Sequence, residues 1–265
     1  MISLEAILSR ERQVMAAGLA AVAVLAWIYV WAGAGMGMSA LEMTRATLFP
    51  HRQAEIPGDM DLATLVIVLM WWVMMIAMMT PSAAPLVLLY IRVAHHRNDE
   101  PDAAAAVAPA AFLAAGYLLA WLLFSIIAAL VQELLQPTGL ISGMMLWSKT
   151  AALSAIVLAA AGLYQLSSFK QVCLAKCRAP AQFLMRYWQP GRSGALLLGM
   201  RHGAYCVGCC WLLMALLFVG GVMNLVWIAA LTLFVLVEKL APSGAIIGKW
   251  SGALLILWAI ATLLV

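Results

Sequence analysis

Residues 62–91 read LATLVIVLMWWVMMIAMMTPSAAPLVLLYI, a run without a charged side chain. A helix needs about 20 apolar residues to cross the hydrocarbon core of a bilayer. This run is longer, and Pro81 and Pro85 fall inside it. Proline removes a backbone donor and clashes with the preceding turn, so the expectation is a membrane helix broken or kinked at the prolines. Composition agrees with a bilayer as solvent. Hydrophobic residues make up 66% of the chain and charged residues 10%, and the mean hydropathy is +1.02. A soluble domain is roughly half apolar and about a quarter charged. The fold class read from this is all-α: a polytopic transmembrane helix bundle.

Six further apolar runs flank this one, at 14–31, 104–131, 150–167, 203–219, 225–237 and 245–265. The first follows Arg10 and Arg12, as a signal peptide would. It is longer than the usual signal core of about 7–15 residues, so it reads as a retained helix. The total is seven spans, or six if the runs 203–219 and 225–237 do not make two. The segment 170–202 reads as the longest polar interruption of the second half. No polar linker separates a soluble domain, so residues 1–265 read as a single integral membrane domain. Cytoplasmic loops carry an excess of Lys and Arg. With the N-terminus inside, only Arg45, Arg52 and Lys149 of the 15 basic residues fall outside. The expected orientation is therefore N-inside and C-outside. No basic and aromatic stretch suggests nucleic-acid binding.

The chemistry gathers in residues 201–211, RHGAYCVGCCW, which hold three of the five cysteines. Residues three and four apart share a helix face. Cys206, Cys209 and Cys210 therefore form one stripe, with His202 a turn before and Met214 a turn after. Thiolate and thioether suit Cu(I), and thiolate with imidazole also suits Zn(II). A position near the helix N-terminus, beside Arg201, would favour the metal-binding thiolate. The plain alternative is that cysteine packs as a small hydrophobe. Cys173 and Cys177 form a C-x3-C pair that shares a face if the helix continues to Pro180. All five cysteines fall on the expected reducing side, which argues against a disulfide framework.

Met70, Met74, Met75, Met78 and Met79 recur at helical spacing in the opening run, either as packing or as soft ligands facing the cysteine stripe. Glu238 closes the sixth run beside Lys239. It reads as a metal or proton partner, or as a headgroup-level carboxylate, solvated or paired with Lys239. His95 and His96 read as a solvated surface pair, and Glu133 and Lys149 as interfacial. Met36, Met38, Met43, Met60 and His51 in the outer loop could capture copper but lack a tight spacing.

Three segments carry a resemblance: 72–81 (WVMMIAMMTP), 170–180 (KQVCLAKCRAP) and 199–211 (GMRHGAYCVGCCW), continuing with Leu213-Met214, Gly221-Val222-Met223 and Glu238-Lys239. Together they resemble a bacterial family of predicted metal-binding, copper-chaperone-like integral membrane proteins. The resemblance covers about residues 61–242, leaving 1–60 as first helix and outer loop and 243–265 as last helix. It implies a multi-pass protein of the bacterial cytoplasmic membrane. It supports Cys173, Cys177, His202, Cys206, Cys209 and Cys210 as motif positions, and more loosely Met74, Met75, Met78, Met79 and Glu238.

The function expected is to hold, deliver or move a soft metal ion, Cu(I) first and Zn(II) second. The partners expected are the lipid bilayer, the metal ion, and a soluble metallochaperone or recipient metalloprotein. No ATP-binding motif is present, and binding is expected rather than catalysis. A thiol–disulfide oxidoreductase built on the C-x-x-C-C cluster is the alternative. A structural or assembly subunit with packing cysteines is the third.

Overall fold

The computed structural model describes residues 4–34, 41, 44, 64–97, 104–141 and 147–264. The outer-loop residues Met36, Met38, Met43, His51 and Met60 lie outside the described residues. The helices are α1 (Leu4–Trp31), α2 (Thr64–Arg97), α3 (Ala104–Leu135), α4 (Ala151–Leu166), α5 (Ser168–Arg178), α6 (Pro180–Tyr187), α7 (Gly191–Ala215), α8 (Leu217–Gly220), α9 (Leu225–Leu240) and α10 (Gly244–Leu264). The chain is an all-α helical bundle, with no strand among the described residues. Helix α7 packs on α3, α4, α5 and α9, and α2 packs on α1, α3, α6 and α9.

Five helical segments are long and apolar enough to cross a membrane, and a sixth is the bent pair α4 and α5. Of the seven spans expected, with six as the alternative, the described residues hold six at most, and two local features set that number. Ser167 ends α4 through its backbone N–H to Tyr164 O and starts α5 by accepting from Lys170 N, and the two helices meet at 65°. Helix α9 has 16 residues between the Asn224 cap and Ala241, the residue before Pro242. That is about 24 Å of helix at 1.5 Å per residue, short of a hydrocarbon core of about 30 Å.

The prolines do not break α2, which runs unbroken through Pro81 and Pro85. Pro81 cannot donate to the carbonyl of Ala77, four residues back. The Trp27 indole of α1 donates to that carbonyl instead, at 3.1 Å. Neighbouring helices commonly satisfy backbone groups freed by proline in this way. Around the proline, Thr80 Oγ1 donates to Ile76 O at 2.7 Å and Ser82 Oγ to Met79 O at 2.8 Å. Trp27→Phe leaves the Ala77 carbonyl orphaned and is expected to cost about 1–3 kcal/mol. Urea unfolding in mild detergent would read it, and an unchanged midpoint would show that the indole bond does not support α2.

Helix α7 begins at Gly191, well before the expected Gly203. The expected polar interruption at 170–202 is thus helical almost throughout, as α5, α6 and the first half of α7. That half packs with α2, α3 and α6 in a second core that includes Tyr90, Leu113, Phe183, Leu184, Ala195 and Leu198. The larger core holds the methionines of α2 together with Cys173, Cys206, Cys209 and Cys210.

Candidate functional site

Helical spacing puts Cys206, Cys209 and Cys210 on the buried face of α7, each at most 1% exposed. The Cys209 and Cys210 thiols donate to the Cys206 carbonyl at 3.1 and 2.9 Å. Helix α5 supplies the other two cysteines. Cys177 is half-buried, and its Sγ lies 4.0 Å from Cys209 Sγ. Cys173 packs against Gly208, where an added Cβ would sit 3.1 Å from its sulfur. The bend at Ser167 turns α5 towards α7 and makes this approach.

Side chains of two other helices reach Cys206, and both are tied to α2. From α9, Lys239 Nζ donates to Cys206 Sγ at 2.8 Å and to Ser82 Oγ of α2 at 3.3 Å. From α3, the Tyr117 hydroxyl lies 3.0 Å from Cys206 Sγ and donates to Met79 O at 3.2 Å. An ammonium on sulfur is a charge-assisted contact, stronger than one between neutral groups. Cys206 lies about 22 Å along α7 from Gly191, at 1.5 Å per residue. The macrodipole acts only within the terminal turn. The expected help from the helix N-terminus is therefore corrected, and the positive group at Cys206 is Lys239.

The other expected residues fall into place as follows. His202 is 3% exposed and lies within α7, its ring T-shaped against Phe183 at 5.1 Å and tilted to Tyr117 at 5.9 Å. Its Nδ1 has no hydrogen-bond partner among the described residues. Met70, Met74, Met75, Met78, Met79 and Met214 are all buried in the core that holds the cysteines. Glu238 is neither solvated nor paired with Lys239. It is 1% exposed and binds Lys170 Nζ at 2.7 and 2.8 Å through its two oxygens. Adjacent helical residues point about 100° apart, so Glu238 faces α5 while Lys239 faces Cys206. His95 is not a solvated loop residue: it belongs to α2, is largely buried, and pairs with Glu11 of α1.

Sequence reasoning missed Lys239 and Tyr117 as partners of Cys206. The available signal for Lys239 was the impossibility of an i, i+1 pair on a helix. For Tyr117 there was none, because a tyrosine in an apolar run reads as packing.

Among the described residues, no three His, Cys, Asp or Glu side chains stand as a ready cage for a metal ion. What the structure offers is a sulfur pair. Two sulfurs at about 2.3 Å from one tetrahedral metal stand about 3.8 Å apart. Cys177 and Cys209, at 4.0 Å, are close to that separation.

No curated protein and no solved structure matches the chain. A family model described as PpoB2, copper chaperone, matches residues 68–262. The matched region runs from α2 to α10 and contains all five cysteines, Tyr117, His202 and Lys239. Covering well over half of the sequence, this match shows that the chain belongs to the PpoB2 copper-chaperone family.

Proposed function

We propose that the chain holds Cu(I) on the sulfurs of α5 and α7 within a bacterial cytoplasmic membrane and passes it on. The observation that carries this is the Cys177–Cys209 sulfur pair at 4.0 Å, across two helices of a copper-chaperone family member. Cu(I) favours soft sulfur ligands and tolerates low coordination numbers, so a pair can hold it. Cys206, Cys210 and Cys173 are further sulfur donors on the same two helices, and the thioethers of Met74, Met75, Met78, Met79 and Met214 share the core. His202, one turn before Cys206 on α7, brings a ring nitrogen with no partner among the described residues. Glu238 acts from outside the sulfur set, by holding Lys170 on α5. Zn(II) is the second metal this donor set could take.

The whole chain acts as one membrane unit, N-terminus in the cytoplasm, as the distribution of Lys and Arg favours. Cys177 is the less buried cysteine of the sulfur pair and so the point of exchange with a soluble metallochaperone or recipient metalloprotein. The test is to load purified protein with Cu(I) under reducing conditions. Wild type is expected to retain copper in stoichiometric amount, and a Cys206→Ser, Cys209→Ser, Cys210→Ser triple variant to lose most of it. Equal retention by the two would remove the reading and favour packing cysteines.

The same 4.0 Å separation also lets two thiols be oxidised to a disulfide, so a thiol–disulfide oxidoreductase is the second reading. Alkylation of intact cells separates the two. A carrier keeps Cys177 and Cys209 reduced, whereas an oxidoreductase shows them cycling through a disulfide.

A further inference from the structure

We propose that Lys176, Arg186 and Arg201 form a phosphate site at the cytoplasmic edge of the bundle, and that the phosphate it takes is the headgroup of a phospholipid of net negative charge. This assignment rests on the membrane placement above and not on copper. Two of the three cations meet on one ring. The guanidinium of Arg186 lies 5.7 Å from the ring centroid of Tyr187, and that of Arg201, from α7, lies 5.5 Å from the same centroid. Both arginines are exposed, and Lys176 is half-buried. Phe183, buried in the second core, holds the Tyr187 ring at 4.9 Å. The Tyr187 hydroxyl is held below the usual phenol range, first by a hydrogen bond from Tyr205 and then by the charges of Arg186, Lys176 and Arg201. Helices α5, α6 and α7 thus each bring one cation to Tyr187.

Like charges gathered in this way repel, and the surrounding chain does little to offset them. No Asp or Glu occurs between Glu133 and Glu238. The ion pairs among the described residues, Glu11 with His95 and Glu238 with Lys170, involve none of the three cations. Arg178, close by in sequence, is engaged elsewhere and donates to the carbonyls of Ala241 and Pro242 at 2.6 and 2.7 Å. Cations held together without a carboxylate suit an anion, and guanidinium groups match phosphate oxygens in bidentate fashion.

Depth identifies the source of the phosphate. The segment Gly191–Gly220 has 30 residues. The hydrocarbon core takes about 20 of them. Counted back from Gly220, that length ends near Arg201, which therefore stands where hydrocarbon gives way to headgroups. Tyr187, Tyr205 and Trp188, the last stacked on Tyr90 at 4.8 Å, are the amphipathic aromatics that favour this level. Met185 and Met200, 68% and 42% exposed, offer acyl chains an apolar surface beside the cations. A zwitterionic headgroup would bring an ammonium of its own to the site. An anionic headgroup brings none, so the site selects it.

To test this, the full chain is purified in nonionic detergent, stripped of lipid and titrated with phosphatidylglycerol, phosphatidylcholine or inorganic phosphate. Native mass spectrometry reads the bound species and circular dichroism reports folding. Wild type is expected to bind one phosphatidylglycerol more tightly than phosphatidylcholine, and inorganic phosphate is expected not to displace it. The Arg186→Gln, Arg201→Gln double variant is expected to lose about thirtyfold in phosphatidylglycerol affinity and little for phosphatidylcholine. The Arg10→Gln, Arg92→Gln double variant removes two exposed charges elsewhere on the same side and is expected to bind as wild type does. Equal loss in the two double variants, or no loss in the first, overturns the site. Displacement by inorganic phosphate overturns the lipid assignment. Should the first double variant fail to fold, Arg186→Gln alone, at an exposed position, is expected to lose about fivefold, and no loss overturns the site. Release of the wild-type chain from membranes by alkaline carbonate overturns the membrane placement, and the lipid site with it.

Discussion

Lys170→Met is expected to destabilise the folded protein by about 3–5 kcal/mol. Lys170 is 0% exposed and sits 2.7 and 2.8 Å from the two oxygens of Glu238, itself 1% exposed. It also donates to Gln165 Oε1, and Gln165 Nε2 in turn donates to Ser251 Oγ at 2.9 Å. Gly248 of α10 lies against the carboxylate, where any side chain would collide with it. The network therefore ties α4, α5, α9 and α10 around one ion pair. Removing the ammonium strands a carboxylate in a dry site, which is what makes breaking a buried pair expensive. Removing both charges is a different matter, because apolar replacements of similar volume are often neutral. The double variant Lys170→Met, Glu238→Leu is thus expected to recover most of the loss. Chemical unfolding in mild detergent, read on all the variants, decides it. A single variant as stable as wild type, or a double no better than the single, would show that the pair is not the clamp. Lys170 is three residues before Cys173 and seven before Cys177 on the same face of α5. Copper retention should therefore fall and recover in parallel with stability.

The helices were legible wherever the apolar run was uninterrupted, and misread where one helical face alone is apolar. Residues 191–202 look polar because of Arg192, Arg201 and His202. Their buried positions are Gly194, Ala195, Leu198, Gly199 and His202, spaced as one helix face. Average hydropathy hides that period, and the loss was substantial: it put Cys206 at a helix start, where it is not. The end of α4 at Ser167 was legible, since the apolar run stops there, but the 65° turn into α5 was not, because no local pattern in Ser167-Ser168 sets the direction in which the next helix leaves. Pro81 was read correctly as a missing donor. Its repair by Trp27 depends on a contact between helices distant in sequence, which no local pattern contains. The cysteine stripe itself was legible, since i, i+3 and i+4 spacing is a property of the chain. The Cys173 and Cys177 pair was also legible as a motif, whereas Lys239 and Tyr117 were not, because α9 and α3 reach Cys206 only through the tertiary packing of the bundle.

Gly199→Ala carries the second large effect, because it acts on the fold and the site together. Gly199 and Gly203 lie one turn apart on α7, and Gly116 and Ala120 one turn apart on α3. Small residues at this spacing let two membrane helices bring their backbones into contact. A Cβ on Gly199 would collide with the Leu113 carbonyl oxygen and sit 3.0 Å from Tyr117 N, both backbone atoms that cannot turn aside. Gly116 meets Leu196 of α7 in the same way from the other side. The only relief is to part the helices, and overpacking of this kind costs about 1–3 kcal/mol, occasionally more. Parting them also draws Tyr117 away from Cys206, since the residue beside Gly116 is the one whose hydroxyl reaches that sulfur at 3.0 Å. Gly199→Ala is therefore expected to lower both the unfolding midpoint and the Cu(I) affinity. Gly18 of α1 provides the control: an added Cβ there meets nothing within 4 Å. Gly18→Ala should stabilise by up to about 1 kcal/mol through helix propensity and leave copper binding unchanged. If both glycine variants behave alike, close contact at the α3–α7 crossing does not hold the site together. If they separate as expected, the glycines quoted at the edge of the cysteine motif act by setting the distance between Tyr117 and Cys206.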